Sequence, residues 1–126
     1  MKNFKFFLVY LLVIFSCNKN ESTEVNIKFL NDYKSNIKNG QMVFNKSCIT
    51  CHLYGTAGAM QLTDKIAWEE LISKNTKEEI FLNVFNGFTG KRGPMPKKGG
   101  CNNCSEEDIF DAIEYILSIN NLSINK

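Results

Sequence analysis

From Ser105 onward the apolar residues fall along one helical stripe. Ile109, Ala112, Ile113, Ile116 and Leu117 stand at i, i+3, i+4, i+7 and i+8, behind a Ser105-x-x-Asp108 start. Two helices are predicted upstream. Residues 64–74 carry Ile66, Ala67, Leu71 and Ile72 around Trp68, and Thr76 with Glu79 forms a capping-box pattern ahead of Ile80, Phe81, Val84 and Phe85. Gly40-Gln41-Met42-Val43-Phe44 reads as a further short helix. No alternating run argues for a sheet, so the prediction is all-α, with three to five short helices. Residues 86–100 interrupt the pattern: five glycines and two prolines forbid a helix there and specify a turning loop.

The first forty residues behave differently. Lys2 and Lys5 precede an unbroken apolar run over 6–15. Ten residues make about 15 Å of helix, half of a ~30 Å hydrocarbon core, so the run is too short to span a membrane. A charged start, a short apolar run and a small residue before the break describe a secretory signal over 1–16. The end at Ile14-Phe15-Ser16-Cys17 resembles a bacterial lipobox, which makes Cys17 the expected lipidation site; the alternative is ordinary secretion with a chance cysteine. An exported, periplasmic, membrane-anchored protein follows. Residues 17–39 turn to Asn, Lys, Ser and Glu and are expected to form a flexible polar tether, with 25–33 able to dock or form a short helix. The domain proper is expected over 40–126.

Composition narrows the function classes. Of 126 residues, 44% are hydrophobic and 22% charged, which suits one globular domain burying roughly 65% of its unfolded surface. The chain has 15 basic and 13 acidic residues, and loss of Lys2 and Lys5 with the signal leaves 13 of each. That balance argues against nucleic acid as a partner, since a nucleic-acid binder needs a broad basic face.

Five cysteines remain to be assigned. With Cys17 in the anchor, two Cys-x-x-Cys pairs are left, and only the first continues into a histidine, as Cys48-Ile49-Thr50-Cys51-His52. His52 is the sole histidine. This pentad is the attachment sequence of c-type haem: two thiols three positions apart reach the two vinyl groups of one porphyrin, and the adjacent imidazole falls under the iron. Two other chemistries use the same residues. The four thiols can bind zinc, although 49 residues separate Cys51 from Cys101. A thioredoxin-like redox site needs a βαβ setting, and none is visible.

Met95 stands between Pro94 and Pro96, each of which fixes its own φ and restricts the residue before it. A methionine on so stiff a loop suits an axial iron ligand opposite His52, and thioether sulfur raises the reduction potential. The alternative is a methionine that caps the core. Met42 and Met60 are the other candidates, Met42 at a spacing typical of core. Lys91, Arg92, Lys97 and Lys98 flank Met95 and form either a basic rim for an acidic redox partner or a solubilising, propionate-neutralising set. Trp68 either donates its indole N–H to a haem propionate or packs in the core.

These residues resemble the small class I monohaem c-type cytochromes, closest to the cytochrome c5 branch, over roughly 40–118. Four features carry the resemblance: Cys48-x-x-Cys51-His52, the Gly55-Thr56-Ala57-Gly58-Ala59 turn, the Asp64-Lys65-x-x-Trp68 start, and Met95-Pro96-x-x-Gly99-Gly100-Cys101-x-x-Cys104-Ser105. The resemblance implies the class I cytochrome c fold around one covalent haem c, His52 and Met95 as axial ligands, and a Cys101–Cys104 disulfide. It implies a one-electron carrier rather than an enzyme, acting with redox partner proteins. It also places Gly40 and Phe44 where the first helix packs on the last, near Ala112 and Tyr115. Two positions depart from the family: Met60 stands where a proline carbonyl receives the proximal histidine's Nδ1–H, and Lys97 replaces a second proline. Two readings stay open. Cys104, beside a helix N-terminus, allows a redox-active pair, and a Met95 that dissociates would make the protein a haem-dependent sensor or a cytochrome subunit of a redox enzyme.

Overall fold

The computed structural model describes residues 25–124; the expected signal over 1–16, the expected lipidation site Cys17 and the first part of the tether lie outside them. Its longest helix is α6 (Glu106–Ile119). The Ser105 hydroxyl accepts from the Asp108 N–H while the Asp108 carboxylate accepts from the Ser105 N–H, a reciprocal capping box. The predicted stripe is buried, from Ile109 to Leu117, but Phe110, Asp111 and Tyr115 are buried as well. A second side of α6 is therefore covered.

The cover comes from the N-terminal side of the chain. Helix α2 (Ile37–Val43) crosses α6 at Gly40. A Cβ on Gly40 would collide with the Asp111 carbonyl oxygen and come within 2.9 Å of the Tyr115 Cβ, so only glycine permits this approach. One turn on, the Phe44 and Tyr115 rings lie 5.5 Å apart.

The sequence predicts a tether through residue 39 with 25–33 able to dock or form a short helix; the structure shows that docking and packs the described part of the tether, from Val25, onto the domain. The short helix α1 (Phe29–Asp32) buries Leu30 completely and sets the Phe29 ring edge-on to Phe81 and Phe110, at 5.6 and 6.2 Å. Asp111, fully buried, accepts from the Asn36 N–H (2.8 Å), the Asn39 Nδ2 (2.9 Å) and the Tyr33 hydroxyl (3.2 Å). Average polarity says little about this stretch because its polar groups are not all solvated: two side chains and one backbone N–H donate to one buried carboxylate.

Asp64 caps α4 (Lys65–Lys74), and Thr76 with Glu79 forms both arms of the box ahead of α5 (Lys77–Asn86), as predicted. On α4 it is Ala67 and Trp68 that are buried, while Ile66 faces solvent. One feature departs from an all-helical chain. Strands β1 (Phe88–Gly90) and β2 (Gly93–Met95) form an antiparallel hairpin in which Phe88 faces Met95 in register. Three residues per strand are too few for alternation to register in the sequence. No helix among the described residues is long and apolar enough to cross a membrane.

Candidate functional site

Helix α2 does not end at Val43 but widens into a π turn, Phe44–Cys48, that runs straight into α3 (Ile49–His52). The Ile49 N–H reaches back to the Phe44 carbonyl, five residues away. Cys48, Cys51 and His52 thus leave one continuous helical path. The Thr56 hydroxyl donates to the Thr50 carbonyl (2.8 Å), fastening the following turn to the end of α3. His52 Nδ1 lies 2.8 Å from the Met60 carbonyl oxygen. A carbonyl only accepts, so Nδ1 carries the proton and Nε2 is the nitrogen left for the cavity. Met60 performs with its backbone what the family assigns to proline. Trp68, 5.9 Å from the imidazole, is buried and gives its indole N–H to the Gln61 carbonyl (2.9 Å). That donor has an acceptor within the protein, which favours core packing, the second of the two readings of Trp68.

The opposite wall is the hairpin and the turn that follows it. Gly87 has φ +84, and a Cβ there would stand 2.9 Å from the Lys97 nitrogen and 3.1 Å from the Met95 carbonyl oxygen. A Cβ on Gly99 would meet Cys48 Sγ at 3.5 Å and Met95 Cε at 3.9 Å, so the two sulfur-bearing side chains converge on one glycine. Cys101 and Cys104 are disulfide-bonded and buried, with Cα atoms 5.5 Å apart. Of the four expected rim cations, only Lys91 and Arg92 line the mouth. Lys98 Nζ instead donates to the Cys104 carbonyl (2.7 Å) and lies over the Phe85 ring (4.6 Å), with Lys97 over the same ring at 5.9 Å. The rim is therefore split.

Between the walls lie two adjoining compartments of about 340 and 280 Å³, the size range of cofactor sites. Cys48, His52, Met60, Leu71, Phe88 and Met95 border both. The inner compartment is lined by Ile80, Ile109, Ile113 and Leu117, the outer by Glu70, Lys74, Lys91 and Arg92 at its mouth. Phe88, half-exposed, escaped the sequence reading because it sat inside a stretch that read only as loop. Met42 is 57% exposed and borders neither compartment, which removes it as a ligand and corrects its expected core position.

Comparison with known proteins places this arrangement. Residues 35–116 match the family model described as "Cytochrome C oxidase, cbb3-type, subunit III". The chain belongs to this family. It is 32% identical to cytochrome c-555 of Chlorobaculum thiosulfatiphilum over 78 residues, which cover 62% of this chain and 90% of that protein. To cytochrome c5 of Ectopseudomonas mendocina it is 30% identical over 73 residues, 57% of this chain and 79% of that one. Its fold is similar to that of a chain in the crystal structure of the electron transfer complex of nitrite reductase with cytochrome c (TM-score 0.58, 25% identity, 69% of this chain and 99% of that one). This is a small class I c-type cytochrome near the c5 branch, a monohaem electron carrier whose cofactor is one covalently bound haem c.

The residues of this cytochrome fit that cofactor. Two unpaired thiols, one free imidazole nitrogen and two methionines, Met60 and Met95, border a cavity of two compartments that is apolar inside and polar at its mouth. Zinc has no comparable set. Among the described residues no three His, Cys, Asp or Glu side chains converge, and the second cysteine pair is already bonded. Before attachment, burial, helped by the neighbouring Cys51, pushes the Cys48 thiol up to about 11. A thiol that stays protonated at neutral pH is a poor nucleophile and resists stray oxidation. At the mouth, Lys74 donates to Glu70 and holds its carboxyl below the usual range.

Proposed function

We propose that this cytochrome is an exported one-electron carrier with Cys48 and Cys51 as the thioether ligands of its haem and His52 and Met95 as the axial ligands. The observation that supports this reading is that His52 and Met95 both border the two compartments of the cavity, with the imidazole oriented by the Met60 carbonyl. When bound, the haem supplies a reversible ferric–ferrous couple. The protein's part is to keep two ligands in place in both states, so that little rearrangement accompanies transfer. His52 is held through Nδ1, and a hydrogen bond there raises the basicity of the ligating nitrogen. Met95 is held by the hairpin register opposite Phe88 and by its two prolines. With both axial positions filled, chemistry at the iron that needs an open site is disfavoured, which supports a carrier rather than an enzyme.

The docking surface for a redox partner is the mouth, where Lys91 and Arg92 stand beside half-exposed Phe88. A protein partner fits the similarity to a cytochrome c crystallised with nitrite reductase. Lipidation at Cys17 would hold the carrier on a membrane in the periplasm, after removal of the signal over 1–16.

The test is the optical spectrum of the exported holo-protein. We expect the weak far-red band of methionine–Fe(III) coordination in wild type and its loss in Met95→Ala, with covalent haem retained in both. A band that survives Met95→Ala rules Met95 out. The family model's own description supports a second reading, a cytochrome subunit of a redox enzyme in which Met95 dissociates. Ready binding of carbon monoxide by the reduced wild type would favour it.

A further inference from the structure

We infer that the seam between Gly58 and the hairpin tip at Arg92 is what keeps Met95 at the cavity, which makes Gly58 a positioning residue for the sixth ligand; the inference rests on the Met95 assignment above. Gly58 has φ +82, and a Cβ there would collide with the Arg92 carbonyl oxygen and stand 3.1 Å from the Arg92 carbonyl carbon. The contact is answered from the other side. Gly93 has φ +107, and a Cβ on it would lie 3.2 Å from the Ala57 carbonyl oxygen. Ala57 itself has φ +54, a left-handed conformation that a residue with a Cβ adopts only when its surroundings impose it. Two backbones therefore touch with no side chain between them.

What the seam joins gives it a role. On one side, the Thr56 hydroxyl ties the turn to α3, and the turn leads directly to Met60, whose carbonyl orients His52. On the other, Arg92 and Gly93 open β2, which ends at Met95 two residues later, and the register Gly90↔Gly93, Phe88↔Met95 transmits any displacement of the tip. The seam thus couples the holder of one axial ligand to the holder of the other. A methyl group at position 58 pushes the tip outward and carries β2 with it.

The experiment compares holo-proteins of wild type, Gly58→Ala and Gly55→Ala. Gly55 has φ +72 in the same turn, and its added Cβ would stand 3.0 Å from the Ala59 carbonyl oxygen without meeting the hairpin, so it controls for strain within the turn. We expect Gly58→Ala to weaken the far-red band, lower the reduction potential and bind carbon monoxide roughly tenfold more tightly when reduced. Tryptic cleavage after Arg92, at the tip, should quicken, while Gly55→Ala should keep the band and the cleavage rate of wild type. Unchanged spectra and cleavage in Gly58→Ala overturn the seam, as does equal loss of the band in both variants. Absence of the band from wild type refutes the Met95 assignment instead. If Gly58→Ala does not accumulate, Gly93→Ala, whose contact is milder, takes its place and must lose the band for the inference to stand.

Discussion

The wall that carries His52 and the wall that carries Met95 enclose the same cavity but are held by different kinds of contact. The first belongs to the crossing of α2 and α6, where close backbone approach, a tilted pair of aromatic rings and a buried carboxylate with three donors act together. The second is a hairpin of two three-residue strands, stiffened by prolines and by a disulfide spanning four residues. Local opening of a protein concentrates where buried apolar contacts are few. The His52 wall should therefore stay closed until the whole domain unfolds, while the Met95 wall can loosen alone. On the proposed ligation, the proximal ligand is a property of the fold and the sixth ligand a property of one loop.

Substitutions can break or sharpen that contrast. Gly40→Ala should do most damage, destabilising the domain by about 3 kcal/mol or more because neither backbone at the crossing can give way; denaturant unfolding of the holo-protein measures it. Asp111→Ala strands Asn36, Asn39 and Tyr33 without their acceptor and should cost about 3 kcal/mol. The far-red band should persist below the unfolding transition. On the other wall, Cys104→Ser should cost about 2 kcal/mol, since the loop it closes is short. Its signature is the reverse of that of Asp111→Ala: loss of the band at denaturant concentrations that leave the domain folded. If the band and the helical signal vanish together in both variants, the two walls are one cooperative unit and the contrast is wrong.

The smallest effect concerns pH. The Asn39 amide, then the Ser105 backbone N–H, hold the Asp108 carboxyl below its ordinary range. Because the folded-state value is depressed, the resulting stability is present at neutral pH and is lost as pH falls through it, below about pH 4. Asp108→Asn should remove part of that acid dependence and cost less than about 1 kcal/mol at pH 7, since the group is partly exposed. A steeper acid limb in the variant would contradict this assignment.

The sequence was most informative where a function needs particular atoms at a particular spacing. Cys48, Cys51 and His52 are adjacent in the chain and were readable at once, and Met95 stood out because two prolines frame it. The stripe on α6 and both capping boxes followed from local periodicity and local hydrogen bonds. What remained hidden depended on partners far apart in the chain. Trp68 is a different case: its acceptor lies only seven positions away, but the Gln61 carbonyl is a backbone atom and carries no sequence signal. Residues 34–39 look solvated because their acceptor, Asp111, lies more than seventy positions away. One signal was available there: an aspartate inside the apolar run Ile109-Phe110-Asp111-Ala112-Ile113 is a buried acid that needs donors from elsewhere.

The wide turn at Phe44–Cys48 has a consequence for how this chain tolerates changes in length. Successive residues of a regular helix are rotated by about 100°. Wound at ordinary pitch, the same five residues would swing both sulfurs and the imidazole around the helix axis by most of that angle, off the cavity, while Gly40 and Phe44 kept their places against α6; deleting one residue there removes the widening and leaves the phase nearly unchanged. The widening acts as a phase correction between two obligations of one helix, packing at its start and presenting chemistry at its end.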